Sequence, residues 1–139
     1  MTRIHLLSRK RVAQLLDLPS SQKTYELFPA DTWGNDIPER ELVSWLNERR
    51  GGGMPELAMT MLPQLVSDRR LAREGAVLRD GKPASVRKLR SICKRALFPC
   101  PHFQLSERRF AFTPDAVEWW ASQIRSGTYV NQRRYQLPA

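Results

Sequence analysis

Leu6–Ala13 reads LLSRKRVA and Leu65–Ala72 reads LVSDRRLA, two versions of one phrase set 59 positions apart. Leu, Ser, Arg and Ala coincide, and the remaining apolar positions exchange conservatively. Each phrase leads into a polar helical stretch that stops at Phe-Pro, Phe28-Pro29 in one case and Phe98-Pro99 in the other. Each stretch then reaches a proline-started helix with an apolar-x-x-Trp pair, Leu42 with Trp45 and Val117 with Trp120. One order of elements met twice indicates the internal duplication of a small unit.

Around these phrases the local signals predict mainly α structure with small β-hairpins, an α+β chain. In the first unit Ile4–Leu7 reads as a strand, and Ser8 as the N-cap of a helix through Leu16 that turns Val12, Ala13, Leu15 and Leu16 inward. Asp17–Ser20 is a turn, Ser21–Leu27 a short helix, and Pro29–Asp36 a compressed hairpin or loop around Trp33-Gly34. Pro38 then opens a helix through about Arg49. Gly51-Gly52-Gly53-Met54-Pro55 reads as a flexible linker, followed by a brief helix over Glu56–Met61. In the second unit a strand at Gln64–Val66 precedes an N-cap at Ser67 and a helix to about Gly75, with a turn at Asp80–Pro83. A helix over Ser85–Leu97 follows, then a hairpin over His102–Phe112 around Glu107-Arg108, then a helix capped by Thr113-Pro114 and ended by Gly127. The divisions are a first unit at 1–50, a linker at 51–63, a second unit at 64–127 and a mobile basic tail at 128–139.

Forty-one per cent apolar residues and four Trp suffice for compact cores, which excludes global disorder. No run of 18 apolar residues occurs, so no membrane span is expected. Arg9, Lys10 and Arg11 interrupt the apolar N-terminus, which does not support a secretory signal. With only Cys93 and Cys100 there is no disulfide framework, and a cytoplasmic location is expected. The net charge of +9 is unevenly placed. Residues 1–58 hold eight basic and eight acidic side chains, and residues 59–139 hold fifteen and six. A basic half is the footprint of a polyanion partner.

Position sharpens that reading. On a helix at 100° per residue, Val86, Leu89, Ile92, Cys93, Ala96 and Leu97 fill one arc, roughly 240° through 20°. Arg87, Lys88, Arg90, Ser91, Lys94 and Arg95 fill the other, roughly 40° through 200°, and no acidic residue occurs in the helix. A solvated face ordinarily mixes Glu with Lys, because opposite charges four apart stabilise it. Five like charges call for an external anion. The helix follows another helix and a turn and precedes a hairpin with Arg108 and Arg109 at its tip, the order of a winged helix-turn-helix. Such a helix enters the DNA major groove, and the wing reaches flanking backbone or minor groove. The expected DNA-binding residues are Ser85, Arg87, Lys88, Arg90, Ser91, Lys94, Arg95, Arg108 and Arg109. The first unit sets Lys23 against Glu26 and puts Asp31 and Asp36 in its wing region, so it keeps the scaffold without the basic face.

Ser85–Phe112, SVRKLRSICKRALFPCPHFQLSERRFAF, resembles phage excisionases of the lambda type. It is also similar to AlpA-type prophage regulators, within the MerR-like winged-helix group. The carrying features are the basic VRKLR helix, the Phe98-Pro99-x-Pro101 exit, the Arg-rich hairpin and the Val-x-x-Trp helix. The likeness covers most of residues 65–125 and, more faintly, 4–50. It implies two tandem winged helix-turn-helix units, with Arg87, Lys88, Arg90 and Ser91 as groove readers and Arg108 and Arg109 as wing contacts. It further implies a non-enzymatic, nucleoid-associated protein of a mobile element in a bacterial host. The activity would be excision control or transcriptional regulation on double-stranded DNA, with an integrase or other phage protein as partner and cooperative self-assembly on DNA.

Other constellations are weaker. Cys93, Cys100 and His102 lack a fourth metal ligand nearby, and Cys93 falls in the apolar arc, which favours a buried thiol. His5 reads as structural or exposed. No nucleophile elbow, paired carboxylates or phosphate loop occurs, so no catalytic residue, metal or cofactor is expected. Trp45 and Trp120 read as core, and Trp119 as an interaction anchor or a residue part-buried on the linker. A rival reading is a protein-recruiting adaptor, such as a terminase or packaging component, with secondary DNA contact. From the charge split, residues 59–139 alone should keep most DNA binding.

Overall fold

The computed structural model describes residues 5–58, 62–94, 99–126 and 135–138, with the side chains of 124–126 and 136 left out. The architecture is α+β, with short helices around small antiparallel sheets. The first half runs β1 (Leu6–Ser8), α1 (Arg9–Leu15), a 3-10 turn (Ser21–Lys23), α2 (Thr24–Leu27), α3 (Ala30–Trp33), β2 (Asp36–Pro38) and α4 (Glu39–Asn47). After β3 (Arg50–Gly51), the second half runs β4 (Val66–Ser67), α5 (Asp68–Glu74), β5 (Leu78–Arg79), β6 (Lys82–Pro83) and α6 (Val86–Lys94). It finishes with β7 (His102–Ser106), β8 (Arg109–Phe112), α7 (Pro114–Ser126) and β9 (Tyr135–Gln136).

The two matched phrases occupy similar local settings. Ser8 and Ser67 are both N-caps, accepting from the amides of Arg11 and Arg70 at 3.1 Å. In the β1–β2 ladder Leu7 faces Ile37 and Ser8 faces Asp36; in the β4–β8 ladder Val66 faces Phe112 and Ser67 faces Ala111. Continuing that register lays Leu42 and Trp45 of α4 onto Val117 and Trp120 of α7, and all four are buried. Each half therefore builds one apolar cluster. The first gathers Leu16, Phe28, Ile37, Leu42, Trp45 and Leu46. The second gathers Leu71, Leu89, Ile92, Phe112, Val117 and Trp120.

The hairpin expected to project as a wing is the partition between the clusters. It lies inside a four-stranded sheet of order β3-β7-β8-β4, shielded on both edges. Strand side chains alternate faces, so Phe103, Leu105 and Ala111 join the first cluster while Phe110 and Phe112 join the second. Only the tip, Glu107-Arg108, is exposed.

The linker expectation is corrected for the same reason. Gly51 pairs with His102 as the edge strand β3, and Met54 is buried. Gly52 has φ +65°, and a Cβ there would stand 2.3 Å from the Cys100 carbonyl oxygen. The segment is bound to the sheet because glycine lets its backbone lie flat on β7. Residues 56–58 are not helical, and 59–61 lie outside the described residues.

Several smaller expectations also change. Pro29–Asp36 is a one-turn helix, α3, that leads into β2, because β2 pairs with β1 and leaves no local partner for a hairpin. The Asp80–Pro83 turn is a hairpin, β5–β6, whose Asp80 and Gly81 both take positive φ. The basic tail is anchored at its end: β9 pairs with β5, and Tyr135 is buried with its ring 5.6 Å from that of Trp120. Ile4, Arg95–Phe98 and 127–134 lie outside the described residues.

A half-buried carboxylate also ties the halves together. Asp17 ends α1 at φ 55°, which Asp tolerates better than most residues. It accepts from the Ser67 amide and hydroxyl at 2.9 Å and from Arg70 Nε and Nη2 at 2.8 and 2.6 Å. Beside it the Leu65 amide donates to the Leu15 carbonyl at 2.9 Å. The cap of α5 is thus built partly by the first half.

Candidate nucleic-acid interface

Ser85 starts α6. Its hydroxyl accepts from the Lys88 amide at 3.2 Å and its carbonyl from the Leu89 amide at 2.9 Å, so its first duty is capping. Leu89, Ile92 and Cys93 then fasten the helix to the second cluster. The opposite side carries Arg87 and Lys94 exposed, with Lys88 and Ser91 half-buried, and the helix has no carboxylate. Val86, Arg87, Lys88, Arg90, Ser91 and Lys94 line one open concavity. Lys94 Nζ also stands 5.4 Å from the Phe110 ring centroid, which holds the cation beside β8.

Arg90 differs from its neighbours. Its Nε donates to Asp68 Oδ2 at 2.8 Å, and its Nη2 donates to the Arg108 carbonyl at the hairpin tip. Asp68 is 1% exposed, and its other oxygen accepts from the Arg69 amide at 2.8 Å. Arg108 itself is exposed, while Arg109 is half-buried. Burial first, and then the charges of Arg69 and Arg90, hold the Arg109 guanidinium below its ordinary value; Glu26 and Asp68 act against them. Arg109 therefore feels both the second half's cations and Glu26 of α2, and it is less open than a wing contact was expected to be.

The structure brings Arg87, Lys88, Ser91 and Lys94 onto one face with Arg108 nearby, keeps Arg90 and Ser85 in structural bonds, and leaves Arg95 outside the described residues. Arg69 is an additional exposed cation close to Arg109 that sequence reasoning missed. Its match to Lys10 in the opening phrase was the available signal. In the first half, Lys23 and Glu26 do pair, at 3.1 Å.

The thiols are buried as expected. Burial pushes Cys100 up to about 12 and Cys93 up as well, so both are thiols at neutral pH and neither is a ready nucleophile. Burial holds the His102 imidazole below its usual value despite its contact with the Cys100 carbonyl, and its ring stacks on Phe110 at 5.3 Å. Among the described residues no group of three or more His, Cys, Asp or Glu is placed to hold a metal. Among them, too, no helix is long and apolar enough to cross a membrane. His5 is exposed and bonded to Glu39, and Trp119 is 48% exposed outside both clusters. Compared with protein-family models, curated proteins and solved structures, the chain matches none.

Proposed function

We propose that this chain is a sequence-specific double-stranded-DNA-binding protein of a mobile element, made of two tandem units of the winged helix-turn-helix type, the first of them without a hairpin wing. Its work is excision control or transcriptional regulation at the host nucleoid. The observation that carries the proposal is α6: a helix fixed by three buried apolar residues whose open face holds Arg87, Lys88, Ser91 and Lys94 and no acid. Like charges gathered on a rigid helix repel one another unless an anion covers them, and duplex DNA supplies regularly spaced phosphates and guanine edges. Arg69 and Arg108, both exposed, add positive charge outside the helix.

Duplexes from the gene's own neighbourhood, compared with random duplexes across a salt series, test this reading. Arg87→Ala should cost about 1–3 kcal/mol on the specific site and relax its sequence preference. Lys88→Ala and Lys94→Ala should weaken all duplexes alike, each lowering the salt slope by about 1. A wild-type chain that binds no duplex, or binds every duplex equally, would overturn the proposal.

A further inference from the structure

Arg90 carries an arginine's donors on the basic helix, yet its geometry is that of a strut. The side-on edge of its guanidinium, Nε and Nη2, is occupied by the Asp68 carboxylate and the Arg108 carbonyl. That edge is one of the two that grip a guanine in bidentate fashion. Swinging it toward a base would strand Asp68, a carboxylate only 1% exposed, without its counter-ion.

The other half has a matching node. Arg9 stands at the first position of α1 as Asp68 stands at the first position of α5, and it is also buried. Its guanidinium donates to the Thr24 carbonyl at 3.2 Å and the Phe28 carbonyl at 2.5 Å, and also to the Gly34 carbonyl. By the register of the two ladders Gly34 matches Arg109, the neighbour of Arg108. Both halves therefore tie the start of their first helix to the second helix and to the chain just before the following strand. In the first half one cation reaches the carbonyls directly. In the second the node is an anion, and Arg90 completes the span.

We propose that Arg90 is a positioning residue that locks the β7–β8 tip against α6 through buried Asp68, so that Arg108 and the basic helix meet duplex DNA in one fixed relation. This rests on the DNA-binding reading. Arg87 and Ser91 carry the base discrimination, and Arg90 sets the distance between helix and tip.

The test uses the full chain with Arg90→Lys and, separately, Asp68→Asn. Lysine keeps the charge but cannot hold the two acceptors in one plane. Amide exchange at residues 106–109 in the free protein should rise about tenfold or more in either variant, with exchange in α4 unchanged. Affinity for specific and random duplexes should fall by one common factor, leaving their ratio as in wild type, whereas Arg87→Ala changes the ratio. Should Asp68→Asn fail to fold, Arg90→Lys alone decides, since its site is half-exposed. Unchanged tip exchange, or a changed specific-to-random ratio in Arg90→Lys, would overturn the proposal. If the wild-type chain bound no duplex, the functional reading would fall while a raised tip exchange still established the lock.

Discussion

Asp17 shows how much one side chain holds in this chain. Four hydrogen bonds converge on its carboxylate, from Ser67 and Arg70 of the other half. Burial alone would push its pKa up, but the bonds from Arg70 and Ser67 together outweigh it and hold the carboxyl below the usual range. A depressed carboxyl contributes stability in full above its unfolded value and loses it as pH falls through the folded one. The acid limb of stability should therefore steepen below about pH 4, the ordinary range of an Asp. Asp17→Asn retains a residue tolerant of positive φ, should cost about 1–3 kcal/mol at pH 7, and should flatten that limb. Urea melts at neutral and acid pH measure both effects, and an unchanged acid limb would remove Asp17 from the account. This bond was not legible in the sequence, where Asp17 reads as one member of a turn cluster. Arg90 was half legible. On the helical projection it falls beside Leu97 at the margin of the apolar arc, the place from which a long side chain reaches inward, while Arg87, Ser91 and Lys94 lie well inside the polar arc.

At the scale of elements, local signals worked wherever the partner was close in the chain. The caps at Ser8 and Ser67, α4 directly after Pro38, α7 from Pro114, and the β7–β8 hairpin all follow from neighbouring residues, and all occur. They failed where the partner was distant. Gly51-Gly52-Gly53 has the composition of a joint, and only the approach of β7, some fifty residues on, makes it a strand edge. That contact yields a graded prediction. A Cβ at Gly52 would meet the Cys100 carbonyl at 2.3 Å and one at Gly51 the His102 ring at 2.5 Å, whereas Gly53 has open space and only its φ of +78°. Gly53→Ala should cost about 1–2 kcal/mol from backbone conformation alone. Gly52→Ala bears the same conformational cost plus a backbone clash, and should lower the urea midpoint well beyond it. Equal midpoints for the two variants would mean that the segment is a joint after all, free to move away from β7.

For the molecule as a whole, the match between the two phrases was legible and the interlocking of the two halves was not. Pattern within one unit says which residues are buried but not which cluster they bury into, and Phe103 and Leu105 alternate as any strand would. Their destination is the first half's core, while Phe110 and Phe112 of the same hairpin serve the second. The charge split invites the expectation that residues 59–139 bind DNA unaided, since they contain the whole net charge. The packing argues otherwise. Without residues 1–58 the hairpin loses the edge strand β3 and one face of its apolar cover, and the cap of α5 loses Asp17. Exposing two large buried side chains forfeits about 1.5–3 kcal/mol each, a large share of the stability of a domain this small. Fragment 59–139 should therefore show poor amide dispersion and weak, salt-sensitive DNA binding with little sequence preference. Fragment 1–58 should be poorly folded as well, because Phe103, Leu105 and Leu65 fill its core from outside. Mixing the two should restore dispersion, and with it the specific binding of the intact chain, as β3 finds β7 and Asp17 finds Ser67. If fragment 59–139 alone gave a dispersed spectrum and the full chain's specificity, the shared hairpin would be an accident of packing, and the two halves would be independent modules on a string.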